Sequence, residues 1–137
     1  MTATSPFAVA AADPSAIIDF AMPGLFDWLE RASAGDLDGL AFGLVALAAG
    51  GIVEHYNLAE ANLSGLTPAR VVGRDFFTSV APCANNFMVA ERFATEPTID
   101  AVVDYIFTFR LAPMKVRLRL MRRQGGRRSY LAVQRRD

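Results

Sequence analysis

Between residues 115 and 122 charged and apolar side chains alternate without a break. Lys115, Arg117 and Arg119 occupy one set of positions, and Val116, Leu118 and Leu120 the other. A period of two is that of a β-strand, here with one apolar and one charged face. Such a strand must bury its apolar side, which calls for an antiparallel sheet with a layer packed on it. The flanking sequence extends the pattern. Residues 102–110 read as a strand, Gln124-Gly125-Gly126 as a turn, and residues 129–134 as a last strand. That last strand places Tyr130 and Ala132 on one face and Leu131 and Val133 on the other. A three-strand meander therefore closes the chain. Nearer its middle, residues 40–47 and 52–56 form a hairpin around Ala48-Ala49-Gly50-Gly51.

The remaining segments are helical or irregular. Asp13-Pro14 is a helix start, with a capping side chain followed by proline. Pro23-Gly24 interrupts. Residues 25–33 then bury Leu25, Phe26, Trp28 and Leu29 and show Asp27 and Glu30 to water. Thr67-Pro68 opens a short helix that Val71-Val72-Gly73 ends. Residues 87–93 form another, with Phe87, Ala90 and Phe93 inward. The expected fold class is α+β: a five-stranded antiparallel sheet with helices on one face. Residues 1–35 form an N-terminal helical cap and residues 36–137 the core. At 137 residues this is one domain, large enough to bury a core.

Composition narrows the function. With 53% hydrophobic and 20% charged residues, disorder of the whole chain is excluded. The lone cysteine forms no internal disulfide, and no signal stretch opens the chain. No uncharged stretch is longer than residues 39–53, which hold four glycines and are too few to cross a bilayer. A soluble cytoplasmic protein with no membrane partner is the expectation. The net charge of zero hides an asymmetry. Residues 1–109 carry 4 basic and 13 acidic side chains, and residues 110–137 carry 10 basic and 1 acidic. Because the basic residues alternate with core residues, they are expected to lie over the acidic remainder. The alternative is a basic docking face centred on Arg122, Arg123, Arg127 and Arg128, which nucleic acid could use; the alternating pattern argues against nucleic acid as a partner.

Cys83, Tyr56 and Glu60 are a thiol, a phenol and a carboxyl group in otherwise apolar segments. A thiol can carry an acyl group, and a phenol and a carboxyl can hydrogen-bond a buried anion. If the strand gives way to a helical turn at Asn57, Tyr56 and Glu60 point the same way. A helix beginning near Phe87 would favour the Cys83 thiolate through its N-terminus. The plainer readings are a core cysteine, a core tyrosine and a surface glutamate. Enzyme chemistry is not expected. His55, the only histidine, neighbours Tyr56 on a strand and so faces solvent, away from a dyad with Cys83. One His and one Cys make no zinc site, and a haem on His55 is a weak alternative. Asp36 and Asp38 precede a strand without further ligand spacing, so they read as loop caps rather than a cation site. There is no Walker or dinucleotide glycine motif.

The order of elements resembles a PAS domain, and the local sequence resembles the photoactive yellow proteins. Leu37-Asp38-Gly39-Leu40-Ala41-Phe42-Gly43 is similar to that family's first-strand signature, and Tyr56-Asn57-Leu58-Ala59-Glu60 to its Tyr-Asn-x-x-Glu motif. Val80-Ala81-Pro82-Cys83 resembles its chromophore-attachment motif. Tyr105-Ile106-Phe107 and Pro113-Met114-Lys115-Val116 resemble the strands that follow. The similarity runs in order from about residue 36 to the end, while the first 35 residues match less well. The resemblance implies a blue-light photoreceptor. It would carry p-coumaric acid (4-hydroxycinnamic acid) as a thioester on Cys83, next to Pro82, with the thioester carbonyl on the Cys83 N–H. The phenolate would lie against Tyr56 and Glu60, Ser64 would replace a threonine that supports the tyrosine, and Phe107 would pack near the ring. Light would drive trans–cis isomerisation and proton transfer from Glu60, and the cap would loosen towards an unidentified downstream signalling protein. A monomer or weak dimer is expected. Leu66 stands where the family has a chromophore-covering arginine, and Phe109 and Leu111 stand where a tyrosine and a methionine are common. These changes bear on shielding, absorption maximum and dark recovery. They also fit a second reading, a chromophore-free PAS module that binds a small aromatic ligand or a partner protein.

Overall fold

Five strands are laid out in the order β2-β1-β5-β4-β3, every neighbouring pair antiparallel, in a computed structural model that describes residues 18–109 and 112–136. They are β1 (Gly43–Leu47), β2 (Val53–Tyr56), β3 (Ile99–Phe109), β4 (Ala112–Arg122) and β5 (Ser129–Arg135). The first and last strands of the chain are thus the central pair. The helix start at Asp13-Pro14 and the position of Leu111 lie outside the described residues.

Register fixes the two faces of the sheet. Leu118 pairs with Val133 and Leu120 with Leu131, which sets their side chains on one face with Val45 and Leu47. Helices α3 (Leu58–Ser64), α4 (Pro68–Val71) and α5 (Ala90–Thr95) cover that face, with Val71, Phe76, Phe77 and Phe93 in its core. Leu44, Ala46, Met121, Tyr130 and Ala132 turn to the opposite face. There α1 (Leu25–Arg31) and α2 (Ala34–Asp38) supply Leu25, Phe26, Trp28, Leu29 and Leu37. The cap therefore covers the second face of the sheet. Every residue of β1 is buried, which is why it reads as an unbroken apolar run rather than an alternating one.

Four local expectations are corrected. The strand begins at Gly43 rather than at residue 40, because the segment before it is partly helical. Ser33 and Asp36 cap each other's backbone N–H groups at 2.9 and 3.1 Å and start α2. His55 does not face open solvent: its side chain keeps 19% exposure and its Nε2 lies 3.1 Å from Asp38 Oδ1. That oxygen also accepts the Leu58 N–H at the start of α3. Phe87 is not inward but 74% exposed. Asn86 Oδ1 accepts from the Met88 and Val89 N–H groups, and this side-chain turn delays helix α5 to Ala90. Cys83 therefore stands in a 3₁₀ turn, Pro82–Ala84, rather than at a helix N-terminus.

The charge asymmetry is met within the fold. Arg117 pairs with Asp104, Arg123 with Asp27 and Arg128 with Glu54, all solvent-reached pairs of modest worth. Arg119 differs, being 7% exposed. Its Nε and Nη2 grip both oxygens of Asp100 at 2.8 and 2.9 Å, and Nη1 donates to the carbonyls of Phe20 and Met22 at 3.0 and 2.8 Å. One guanidinium thus fastens residues 20–22 to the outer face of the sheet. Arg119→Ala is expected to lower stability by about 2–3 kcal/mol, the worth of charge-assisted bonds lost from a buried position. It should also speed proteolysis near residue 20. Urea melting and limited proteolysis that both match the unsubstituted protein would rule the clamp out. Among the described residues no helix is long and apolar enough to cross a membrane.

Candidate functional site

Asn57 organises the site. It is fully buried and stands where β2 becomes α3. Its Oδ1 accepts from the Leu44 N–H at 2.8 Å and the Glu60 N–H at 3.0 Å. Its Nδ2 donates to the carbonyls of Leu37 and Phe42 at 2.8 and 3.0 Å. An asparagine N-cap thus starts the helix one residue after Tyr56 and brings Glu60 to the same side.

Glu60 has no solvent exposure. Burial pushes its carboxyl up to about 8, with the Tyr56 hydroxyl pulling the other way, so it holds its proton at neutral pH. The space exists because residue 43 is glycine: a Cβ there would stand 2.1 Å from Glu60 Oε1. That oxygen is buried and has no hydrogen-bond partner among the described residues. The Tyr56 hydroxyl donates to Ser64 Oγ at 2.8 Å and lies 3.5 Å from Glu60 Oε2, the outer limit of a hydrogen bond. Burial, and then the charge of Glu60, raise the Tyr56 phenol far above its ordinary range. Ser64 Oγ also accepts the Leu66 N–H at 3.1 Å.

Cys83 is half-buried, and its turn is held from the other side of the core. The Tyr105 hydroxyl, from β3, donates to the Cys83 carbonyl at 2.6 Å, and Asn86 Nδ2 donates to both the Cys83 carbonyl and the Tyr105 oxygen. Cys83, Leu66 and Phe109 pack against the cluster that contains Tyr56 and Phe107. The Phe107 ring meets Tyr105 and Phe109 edge-on at 5.7 and 5.4 Å between centroids. Tyr56, Glu60 and Ser64 thus form one hydrogen-bonded group, and Cys83, Leu66, Phe107 and Phe109 share the same apolar core. Pro82 is exposed, and Leu111 lies outside the described residues. Sequence reasoning missed Gly43, Tyr105 and Asn86, and it quoted Asn57 without a role. A glycine at the head of an apolar strand was the available signal for Gly43; nothing local marked Tyr105 and Asn86, which meet across 19 residues of chain.

No family model matches the chain. It is 34% identical over 116 residues to the photoactive yellow protein of Rhodothalassium salexigens, covering 80% of this chain and 93% of that one. It is 33% identical to that of Halochromatium salexigens, covering 76% and 86%. The photoactive yellow protein domain from the sensor histidine kinase Ppr of Rhodospirillum centenum superposes with a TM-score of 0.69 at 36% identity, covering 75% of this chain and 93% of that domain. A PAS domain of an HTR-like protein from Haloarcula marismortui, 17% identical with a TM-score of 0.59, shares the fold. The PAS architecture, the Tyr56–Glu60 group and these likenesses over three quarters or more of the chain agree: the chain belongs to the photoactive yellow protein family.

Proposed function

We propose that this chain is a blue-light receptor in which Cys83 carries p-coumaric acid as a thioester. The observation that carries the reading is Glu60 Oε1, a buried carboxyl oxygen with no hydrogen-bond partner among the described residues, on a carboxyl whose other oxygen, Oε2, lies 3.5 Å from the Tyr56 hydroxyl. Orphaned polar atoms of this kind are rare in folded proteins, and a ligand oxygen would satisfy this one. When bound, the group supplies a buried phenolate oxygen and a double bond that blue light isomerises. Tyr56 and Glu60 would hold that oxygen, and Leu66, Phe107 and Phe109 would wall off water.

The chain's own groups suit that task. Rotation of two O–H bonds lets Ser64 donate to Tyr56 across the existing 2.8 Å contact and frees the Tyr56 hydrogen for the anion. Glu60 keeps a proton at neutral pH and can surrender it. Once it does, a carboxylate is stranded in an apolar interior, at a cost of several kcal/mol before the surroundings relax. Asn57 connects the Glu60 N–H to the carbonyls of Leu37 and Phe42, so a loosened α3 acts directly on α2 and the entry to β1. The outer layer held by Arg119 is the element to respond, and a downstream signalling protein would read it.

Reconstitution with an activated p-coumarate tests the reading. The expected product is yellow and heavier by one coumaroyl group, and Cys83→Ala stays colourless and unmodified. A colourless unsubstituted protein would instead favour a chromophore-free ligand-binding module, for which the apolar Leu66 and Phe109 packed on this core already speak.

A further inference from the structure

A cleft of about 730 Å³ opens between the β1–β2 turn, α5 and the β4–β5 hairpin. None of Tyr56, Glu60, Ser64 and Cys83 lines it. Its floor is apolar, formed by Leu47, Ala90 and the rings of Phe77 and Phe93, whose centroids are 6.1 Å apart. Four arginines of the hairpin stand along one wall. Arg123 and Arg128 are taken by Asp27 and Glu54. Arg122 and Arg127 are not: their guanidinium groups donate to the carbonyls of Phe93 and Glu30, and neither forms an ion pair with a carboxylate among the described residues. The carboxylate on the opposite wall, Asp75, is turned into its own turn, with Oδ1 accepting from the Phe77 and Thr78 N–H groups.

We propose that this cleft binds a small aromatic carboxylate, its ring on the Phe77–Phe93 floor and its carboxylate on Arg122 and Arg127. The volume is within the range of small-molecule sites, and the lining sets the apolar Phe77 and Phe93 among polar and cationic groups. A guanidinium has five N–H donors in a planar fork that matches a carboxylate, and each of these two has one engaged on a carbonyl. The cleft is polarised, apolar below and cationic at one side, which selects an amphipathic anion over a neutral ring or a bare ion. The site is independent of the thioester reading, since it needs neither Cys83 nor Glu60.

Titration of the full chain with 1-naphthoate, followed by calorimetry and amide chemical shifts, tests the assignment. One saturable site is expected, with shifts at Ala90, Ala94, Arg122 and Arg127. Ala94 is exposed on α5 at the cleft, so Ala94→Phe fills the space without entering the core and should abolish binding. Arg127→Gln, at an exposed position, and Arg122→Gln should each weaken it by about tenfold, the worth of a charge-assisted bond. The uncharged 1-naphthalenemethanol should bind about tenfold more weakly than the acid. Equal affinity for the acid and the alcohol, or no saturable site, overturns the proposal. So does an Asp/Glu-rich peptide that binds through Arg122 and Arg127 where naphthoate does not, which would make the cleft a docking groove for an acidic protein.

Discussion

Asn57→Ala is expected to destabilise the protein by about 3–5 kcal/mol, among the largest effects a single polar substitution can have. Four buried backbone groups depend on that side chain: the N–H groups of Leu44 and Glu60, and the carbonyls of Leu37 and Phe42. Each group left unpaired costs about 1–3 kcal/mol, and water entering the vacated volume recovers part of the sum. The loss is also architectural. These bonds tie α2, the start of β1 and the start of α3 at one point, so the geometry of Tyr56 and Glu60 loosens with them. Asn57→Asp, which when protonated keeps the acceptor and can make only one of the two donations, should fall between alanine and the native residue at a pH where it is protonated. Urea melts placing Asn57→Ala within about 1 kcal/mol of the unsubstituted protein would show that the junction is held by packing alone.

The sheet was legible in the sequence because its strands announce themselves in two ways. The alternation over residues 115–122 and 129–134 gave strands, faces and turn, and β4 and β5 pair as that alternation requires. The hairpin at Gly50-Gly51 followed from two glycines that adopt φ of 79° and 86°. What stayed hidden was set by short side-chain turns and by contacts between distant residues. Phe87 has the hydrophobicity of a core residue, but Asn86 turns the backbone and leaves it in solvent. Asp36 and Ser33 form a capping box too short for a periodic signal. Arg119 belongs to the charged face by pattern, and only the arrival of residues 20–22 overhead buries it.

The site divides in the same way. Tyr56 and Glu60 were legible as a pair from their four-residue spacing, on the condition that the strand turns helical at Asn57; the Asn57 cap, seen only in the structure, is what meets that condition. Apart from the family resemblance, burial of Glu60 was not legible, since a glutamate in a helix ordinarily faces water. It follows from Gly43, on a neighbouring strand, whose missing side chain is the space the carboxyl fills. The expected assistance to Cys83 from a helix N-terminus is absent because α5 starts late; the turn is held instead by Tyr105 and Asn86.

Glu60→Gln should change how stability depends on pH, with no chromophore needed. The folded carboxyl is pushed up to about 8 from an ordinary 4.5. Between those values the folded protein keeps a proton that the unfolded chain releases, so the stabilising share of Glu60 is complete below about pH 4.5. It is lost as pH rises towards 8, at up to about 1.4 kcal/mol per pH unit. Glutamine cannot ionise and removes that slope. The variant should therefore gain on the unsubstituted protein steadily from pH 5 to pH 8, by several kcal/mol, in urea melts run side by side; titrations common to both proteins cancel in the difference. Parallel pH profiles would mean that Glu60 is not held neutral, and its proposed role as proton donor would fall with that result. If the profiles diverge as expected, the reconstituted variant carries the second half of the argument. An amide N–H is a weaker donor to an anion than a carboxylic acid, so absorption should move to longer wavelength. With no proton to give and no carboxylate to strand, the light-driven loosening of α3 and of the layer beyond it should be suppressed.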